Sequence, residues 1–594
     1  MSYAAPVKDI AFVLNHVVGL EEISRLEGFE DATPELVEAI LAESARFTAE
    51  VLAPLNAIGD RQGSTLTESG VKTPEGWSEA YAQFVEMGWG SLSFPTEYGG
   101  QGLPMCVAAA VQEMWHAANM SFGLCPLLTQ GAVDAIEHHA SEALRQKFLP
   151  NMVAGQWSGT MNLTEPQAGS DLAAVRTKAE PAGDHYLISG QKIYITYGDH
   201  DLGENIIHLV LARLPDAPEG VKGISLFIVP KILVNEDGSL GEPNDVRCVS
   251  LEHKLGIHAS PTCVMSYGDE GGAVGYLVGE PNRGLTYMFT MMNQARHAVG
   301  VEGYGVAEMA YQKALAYAKD RRQGKTMLGE GADDQGIVNH PDVRRILMTM
   351  KSSIEAMRGL GLECAAAFDR ARRHPDAEER ARMQRRGELL TPLVKGWSTE
   401  LGVELCSLGV QVHGGMGFIE ETGAAQFLRD ARITPIYEGT TAIQANDLIG
   451  RKTARDGGRG VGELMADMRA TLAELDATDH VELRALSRRF TPAIAAAEEA
   501  IEWLLGQNDA TLPSAASVEF LMMLGRLAGG WMMARAALAA LALRDEGDAD
   551  RDWLDARITL ARYYAERTLP LVEAGRTIVV EGAESTIALA VAQL

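Results

Sequence analysis

One glutamate in this chain of 594 residues stands where a carboxylate could work as a base. In residues 432–451, RITPIYEGTTAIQANDLIGR, an apolar run of Ile433, Thr434, Pro435, Ile436 and Tyr437 leads to Glu438 and then to Gly439. Gly439 puts no side chain beside the carboxylate, and Thr440 and Thr441 offer hydroxyls suited to capping a following helix. Wedged between Tyr437 and Gly439, Glu438 faces partial desolvation, which raises a carboxylate's pKa and makes it a better base at neutral pH. The same residues also read as a helix-start glutamate that favours the positive helix end. Taken alone, the segment does not choose between the two.

Three other segments could serve such a base. Residues 161–171 read MNLTEPQAGSD, and Pro166 and Gly169 shape a loop that presents backbone amides with the side chains of Thr164, Ser170 and Asp171. A plain strand-to-turn connection accounts for the same residues. Residues 411–418 read QVHGGMGF, where Gln411, Gly414 and Gly415 offer backbone that a diphosphate could approach closely. In residues 284–296, Met288, Met291 and Met292 read as core filler. Asn293 and Arg296 fall on one helix face, where the arginine's forked donors suit a diphosphate or a carbonyl. A solvated charged face fits that pair as well.

Composition narrows the classes. With 46% hydrophobic and 22% charged residues the chain is ordinary globular protein, long enough for about four domains. A formal net charge of -28 argues against binding nucleic acid or an anionic membrane. Six scattered cysteines without ligand spacing suggest reduced thiols, a cytoplasmic chain and no metal. The N-terminus lacks a signal-peptide pattern. Arg526 and Arg535 interrupt the most apolar late stretch, residues 521–543, which therefore reads as a packed helix rather than a membrane span. No GxGxxG, HExxH, P-loop or GxSxG pattern appears in a fitting context.

The elements that must position these residues fall into blocks. Residues 1–155 read as helical, with a helix over 34–56 that Pro54 helps to end and a glycine-rich loop at 94–104. Short β-branched segments follow at 185–190, 192–197, 206–213, 223–232 and 262–268, pointing to a compact antiparallel sheet or barrel. Helices resume near Gly284 and continue to about Gly450. The stretch 456–460 (DGGRG) reads as a flexible linker, and beyond it four amphipathic helices are expected at 461–477, 481–505, 515–543 and 552–575.

The segments MNLTEPQAGSD, QVHGGMGF and IYEGTT, in this order and spacing, resemble the signature set of the acyl-CoA dehydrogenase family, and the added C-terminal region resembles its long subgroup. The resemblance implies an α+β multidomain fold. Its parts are an N-terminal helical domain (1–155), a middle β-barrel or sheet domain (156–282), a helical bundle carrying the base (283–455) and an extra C-terminal helical domain (456–594). It implies FAD-dependent α,β-dehydrogenation of an acyl-CoA thioester to the trans-2-enoyl-CoA. The acyl group would be short, 3-methylmercaptopropionyl-CoA included, and electrons would pass to an electron-transferring flavoprotein. Glu438 would be the base, with its backbone N–H polarising the thioester carbonyl. Met161, Leu163, Thr164, Gly169, Ser170, Tyr194, Thr196, Gln411, Gly414, Gly415, Thr440 and Ala442 would hold FAD, and Ser170, Asn293, Arg296 and Gly439 the substrate. Arg321, or its neighbour Arg322, would reach the FAD diphosphate of a neighbouring subunit, which implies a homodimer or homotetramer. Departures from the family pattern are Tyr194 in place of tryptophan, the shortened DRRQG at 320–324, Gln426 in place of a basic residue, and Arg451 one position late. Two other readings are an oxidase that uses oxygen and a non-catalytic acyl-CoA-binding helical assembly.

Overall fold

The computed structural model describes residues 3–328, 335–547 and 550–594. Helix α1 (Pro34–Phe47) starts where the Thr33 hydroxyl accepts the Leu36 amide, and Leu36 itself faces solvent. Pro54 does not end it. A turn of π geometry over Thr48–Leu52 leads into α2 (Ala53–Gln62), with the proline in the first turn, where its missing N–H costs nothing. Helix α3 (Met105–His139) is buried over most of its length. Its first two amides donate to the Asp369 carboxylate at 2.6 and 2.9 Å. It breaks at Asn119, whose side chain accepts from the Phe122 amide.

The middle of the chain is a sheet of eight strands: β1 (Trp157–Asn162), β2 (Lys178–Ala182), β3 (His185–Thr196), β4 (Asn205–Ala212), β5 (Ser225–Pro230), β6 (Val246–Leu251), β7 (Thr262–Tyr267) and β8 (Ala273–Leu277). Their order is β6-β7-β3-β8-β5-β4-β1, with β2 also on β3. Every pair is antiparallel except β1 with β4. The two segments expected at 185–190 and 192–197 form one strand, β3. Gly190, at φ +151°, bends it without ending it. The half before this bend pairs with β2 and β8 and the half after it with β7, so the sheet curls around one strand.

Helices α4 (Gly284–Asp320), α5 (Pro341–Arg373) and α6 (Ala377–Val412) form the bundle that carries the site. Glycines set how closely α4 and α6 approach. A Cβ on Gly303 would stand 2.8 Å from the Ser398 carbonyl, and one on Gly402 would stand 2.5 Å from that of Gly303. Helix α7 (Ala424–Ala431) then delivers the chain to the Glu438 turn, and α8 (Thr441–Asn446) leaves it.

The expected linker is a hydrogen-bonded turn. The Asp456 carboxylate accepts the Gly458 and Gly460 amides at 3.0 and 2.9 Å. Helices α9 (Arg459–Ala477), α10 (Val481–Leu505), α11 (Ser517–Glu546), α12 (Arg551–Arg567) and α13 (Pro570–Thr586) follow. The last two replace one expected helix, because Pro570 lacks the N–H that would continue α12 and instead opens α13. Gly525 and Gly529 leave room for the buried Trp397 of α6, joining this region to the bundle. Among the described residues no helix is long and apolar enough to cross a membrane, and all six cysteines are free thiols.

Candidate active site

Tight turns through Ile433 and Ile436 bring the chain to Glu438 at φ +55° and Gly439 at φ +91°. Two successive left-handed residues reverse the chain so that Thr440 can cap α8 by accepting the Ile443 amide. Glutamate rarely adopts this conformation, and such strain persists where the surroundings enforce it. Here they do. Gln444 Nε2 donates to the Glu438 carbonyl at 3.2 Å, and Lys395 Nζ, from α6, donates to the Gly439 carbonyl at 2.6 Å. Thr441 Oγ1 donates to Glu400 of the same helix at 2.6 Å. A side chain at 439 would collide with Gln444 Nε2, 2.6 Å from an added Cβ. Neither the Glu438 nor the Gly439 amide donates to a group among the described residues.

The carboxyl of Glu438 is pushed up to about 7 by burial, which outweighs the opposing pull of Arg296 and Lys395. Burial likewise pushes Lys395 down to about 7 and Glu302 up to about 8. Glu302 of α4 accepts a hydrogen bond from the Tyr437 hydroxyl. A carboxyl that titrates near neutrality is half ionised there, which suits an acid–base group at physiological pH.

Arg296 and Asn293 share a helix but not an environment. Asn293 is exposed, whereas Arg296 is buried beside Glu438 and pairs with Asp447 at 3.4 Å. Asp447 also holds Arg451 at 2.6 Å, and Arg451 lies over the Phe289 ring. Gln426 is turned inward and donates to Asn56.

A second group of the expected residues lies on the sheet. Met161 lies one residue before the end of β1, and Leu163 and Thr164 follow the strand, all three half-buried, while Gly169 and Ser170 are exposed. The loop is fixed from below by a pair that sequence reasoning missed. Lys192, fully enclosed on β3, donates to the Leu163 carbonyl at 2.9 Å and to Glu165 at 2.8 Å. Glu165 also accepts from the Arg176 amide and the Thr177 amide and hydroxyl. Burial alone would raise this carboxyl, but Lys192 and the surrounding donors hold it at about 2. Two residues beyond Lys192, Tyr194 sits at φ +61° and is 60% exposed, and Thr196 closes the strand.

The third group is at the far end of the bundle. Arg321 caps α4, 25 residues after Arg296 and hence about 37 Å along the helix. There the Tyr317 ring meets His413 at 4.5 Å, so Arg321 lies at the same end as Gln411, Gly414 and Gly415. One chain therefore gathers Glu438, Gly439, Thr440, Ala442 and Arg296 about the middle of α4 and α6, and Arg321 with the 411–415 segment at the C-terminal end of those helices.

Lys395 and Glu302 were also missed. Their signal was a lone charge in an apolar helix segment, LLTPLVKGW, and in a glycine-rich one, VGVEGYGV. Such charges are seldom buried unless partnered.

This architecture has relatives. Profiles of the acyl-CoA dehydrogenase N-terminal, middle and C-terminal domains match residues 34–156, 160–269 and 282–452. A profile described as acetyl-CoA dehydrogenase C-terminal like matches 464–590. The 3-methylmercaptopropionyl-CoA dehydrogenase of Ruegeria pomeroyi is 51% identical over 96% of each chain. The chain belongs to the acyl-CoA dehydrogenase family. Within that family, a broad-specificity linear acyl-CoA dehydrogenase of Mycobacterium tuberculosis is 34% identical over 97% of each chain. The acyl-CoA dehydrogenase of Bacillus anthracis, solved in complex with FAD, shares the fold with a TM-score of 0.74 at 22% identity. That match covers 97% of this chain and 92% of the other. Acyl-CoA dehydrogenases are FAD-dependent oxidoreductases, and the residues present fit the cofactor. Exposed backbone at Gly169, Gly414 and Gly415 has no atom within 4 Å of where a Cβ would stand, so a bound group can approach that backbone closely.

Proposed function

We propose that Glu438 is the base that removes the α-proton of a short acyl-CoA thioester. The observation that carries this is the Glu438–Gly439 turn. It sets a carboxyl titrating at about 7 next to two amides that donate to no described group. In the ionised state the carboxylate takes the proton, and the Glu438 amide serves as hydrogen-bond donor to the thioester oxygen, where negative charge develops. Bound FAD supplies the two-electron acceptor for the β C–H bond. Met161, Leu163, Thr164, Gly169, Ser170, Tyr194, Thr196, Thr440 and Ala442 would hold the flavin portion. Gly439, with Ser170, Asn293 and Arg296, would face the substrate.

For the acyl group we favour 3-methylmercaptopropionyl-CoA, supported by the Ruegeria pomeroyi relative, which matches this chain over nearly its full length. The electron acceptor would be an electron-transferring flavoprotein. A homo-oligomer is supported by the distance of about 37 Å between Arg296 and Arg321. It is supported also by Phe418, 87% exposed beside Gly414 and Gly415, an apolar surface suited to a second copy. Arg321, Gln411, Gly414 and Gly415 would then complete the FAD site of a neighbouring subunit. Free cysteines throughout favour a reducing, cytoplasmic setting.

The test is anaerobic bleaching of the purified flavoprotein by a panel of acyl-CoA esters. Fastest bleaching by 3-methylmercaptopropionyl-CoA, with butyryl-CoA close behind, is the expected result. A colourless protein, or one bleached only by long-chain esters, would reject the substrate reading.

A further inference from the structure

Behind Glu438 lie two buried groups that the proposed proton transfer does not use. Lys395, on α6, is fully enclosed and donates a hydrogen bond to the carbonyl of the residue directly after Glu438, at 2.6 Å. Glu302, on α4, is also fully enclosed. One of its oxygens accepts from the hydroxyl of the residue directly before Glu438, and the other has no partner among the described residues. Glu438 is thus held on each side by a side chain from a different helix, and those two helices touch backbone to backbone at Gly303 and Gly402. Burying a lysine and a second carboxyl costs more than burying apolar residues of similar size.

We propose that Lys395 and Glu302 are positioning residues for Glu438: Lys395 through the Gly439 carbonyl, and Glu302 through the Tyr437 hydroxyl, together fix the left-handed turn that aims the carboxyl. The inference rests on the reading of Glu438 as the base. Helix α4 brings Arg296 and Glu302 to face the cluster, helix α6 brings Lys395 and Glu400, and the turn itself brings Tyr437. Asp447 and Arg451 lie behind Arg296, and Asp430 of α7 acts on Tyr437.

The two residues divide the work. Lys395 supplies a hydrogen bond and, in the fraction that stays protonated near pH 7, a charge that lowers the Glu438 titration. The charge of Glu438 in turn helps to keep Glu302 protonated. Glu302 therefore acts on the turn as a neutral acid through Tyr437 and leaves the titration of the base largely alone. A merely structural pair would not separate geometry from titration in this way.

The experiment uses the full-length holoenzyme with butyryl-CoA as probe. It reads the pH profile of flavin reduction and, independently, the infrared carboxyl band of Glu438, assigned with Glu438→Gln. Lys395→Met should raise the Glu438 midpoint by at least one pH unit and lower the plateau rate at least tenfold. Lys395→Gln, which keeps a donor without the charge, should recover most of the plateau while the midpoint stays raised. Glu302→Leu and Tyr437→Phe should each lower the plateau at least tenfold with the midpoint within half a unit of wild type, and Glu302→Gln should recover most of the loss. If an apolar variant does not fold, Lys395→Gln and Tyr437→Phe decide. An unchanged midpoint in the first, or a wild-type plateau in the second, overturns the proposal. Loss of activity in Glu438→Gln alongside those wild-type results would reject only the positioning roles. Full activity in Glu438→Gln would instead reject the base on which they rest.

Discussion

Replacing Lys192 with methionine removes the cation beneath the 161–171 loop and little else, because the two side chains are of similar length. The Lys192 ammonium makes two hydrogen bonds, to the Leu163 carbonyl and to Glu165. Without it, Glu165 keeps its backbone and threonine donors but loses its only salt-bridge partner among the described residues, in a site where it is 3% exposed. Breaking a buried pair from one side costs about 3–5 kcal/mol. The titration of Glu165 points to the low end of that range. Its carboxyl is held at about 2 against an ordinary 4.5, and at about 1.4 kcal/mol per pH unit its whole environment contributes roughly 3 kcal/mol. The pair as a whole is worth less, since burial pulls Lys192 itself down to about 8 despite Glu165. A second change, Glu165→Gln, keeps an acceptor for the Arg176 and Thr177 donors and removes the stranded charge. Lys192→Met should therefore lose about 3 kcal/mol, and the double variant should regain about 2 of them. Release of flavin fluorescence during urea titration reads this at the sheet rather than over the whole chain. The stability attached to Glu165 should also be present above pH 4.5 and disappear as pH falls toward 2. A single variant that holds flavin as firmly as wild type, or a double variant no better than the single, would refute the reasoning.

The remaining predictions concern the Glu438 turn. Gly439→Ala places a side chain at φ +91° and against Gln444, so it should cost about 1–2 kcal/mol in stability and lower kcat more than it raises KM. Flavin reduction should rise with pH through about 7, since the base must be ionised, with about one-tenth of the plateau reached at pH 6. A flat profile from pH 6 to 8 would contradict the burial of Glu438. The folded state also holds this proton more tightly than the unfolded chain, so wild type loses stability as pH rises from about 4.5 to 7 and levels off above that. Glu438→Gln should therefore melt above wild type at pH 8, an advantage that vanishes below about pH 4.5.

Local chemistry made the base turn legible in the sequence. A glycine that must lack a side chain and a threonine that caps act within a few residues of Glu438. The curled sheet was legible as well, although its central strand was read as two, because a glycine that ends one strand can equally bend another. Pro54 and Pro570 show the same ambiguity: each opens a helical segment, and only Pro570 marks a break. The inward turn of Arg296 was not legible. It depends on Asp447, a partner 151 positions away in the chain. Lys395, Glu302, Glu165 and Lys192 were missed because each matters through a partner distant in sequence. Of their partners, only Leu163 and the residues flanking Glu438 had been singled out.

The most direct measurement is the rate of anaerobic flavin reduction by 3-methylmercaptopropionyl-CoA in Glu438→Gln, followed by stopped-flow absorbance at pH 8. The account predicts a yellow, fully loaded variant whose flavin bleaches slower than wild type by roughly 10² to 10⁴ or more. A variant that bleaches at the wild-type rate would contradict it.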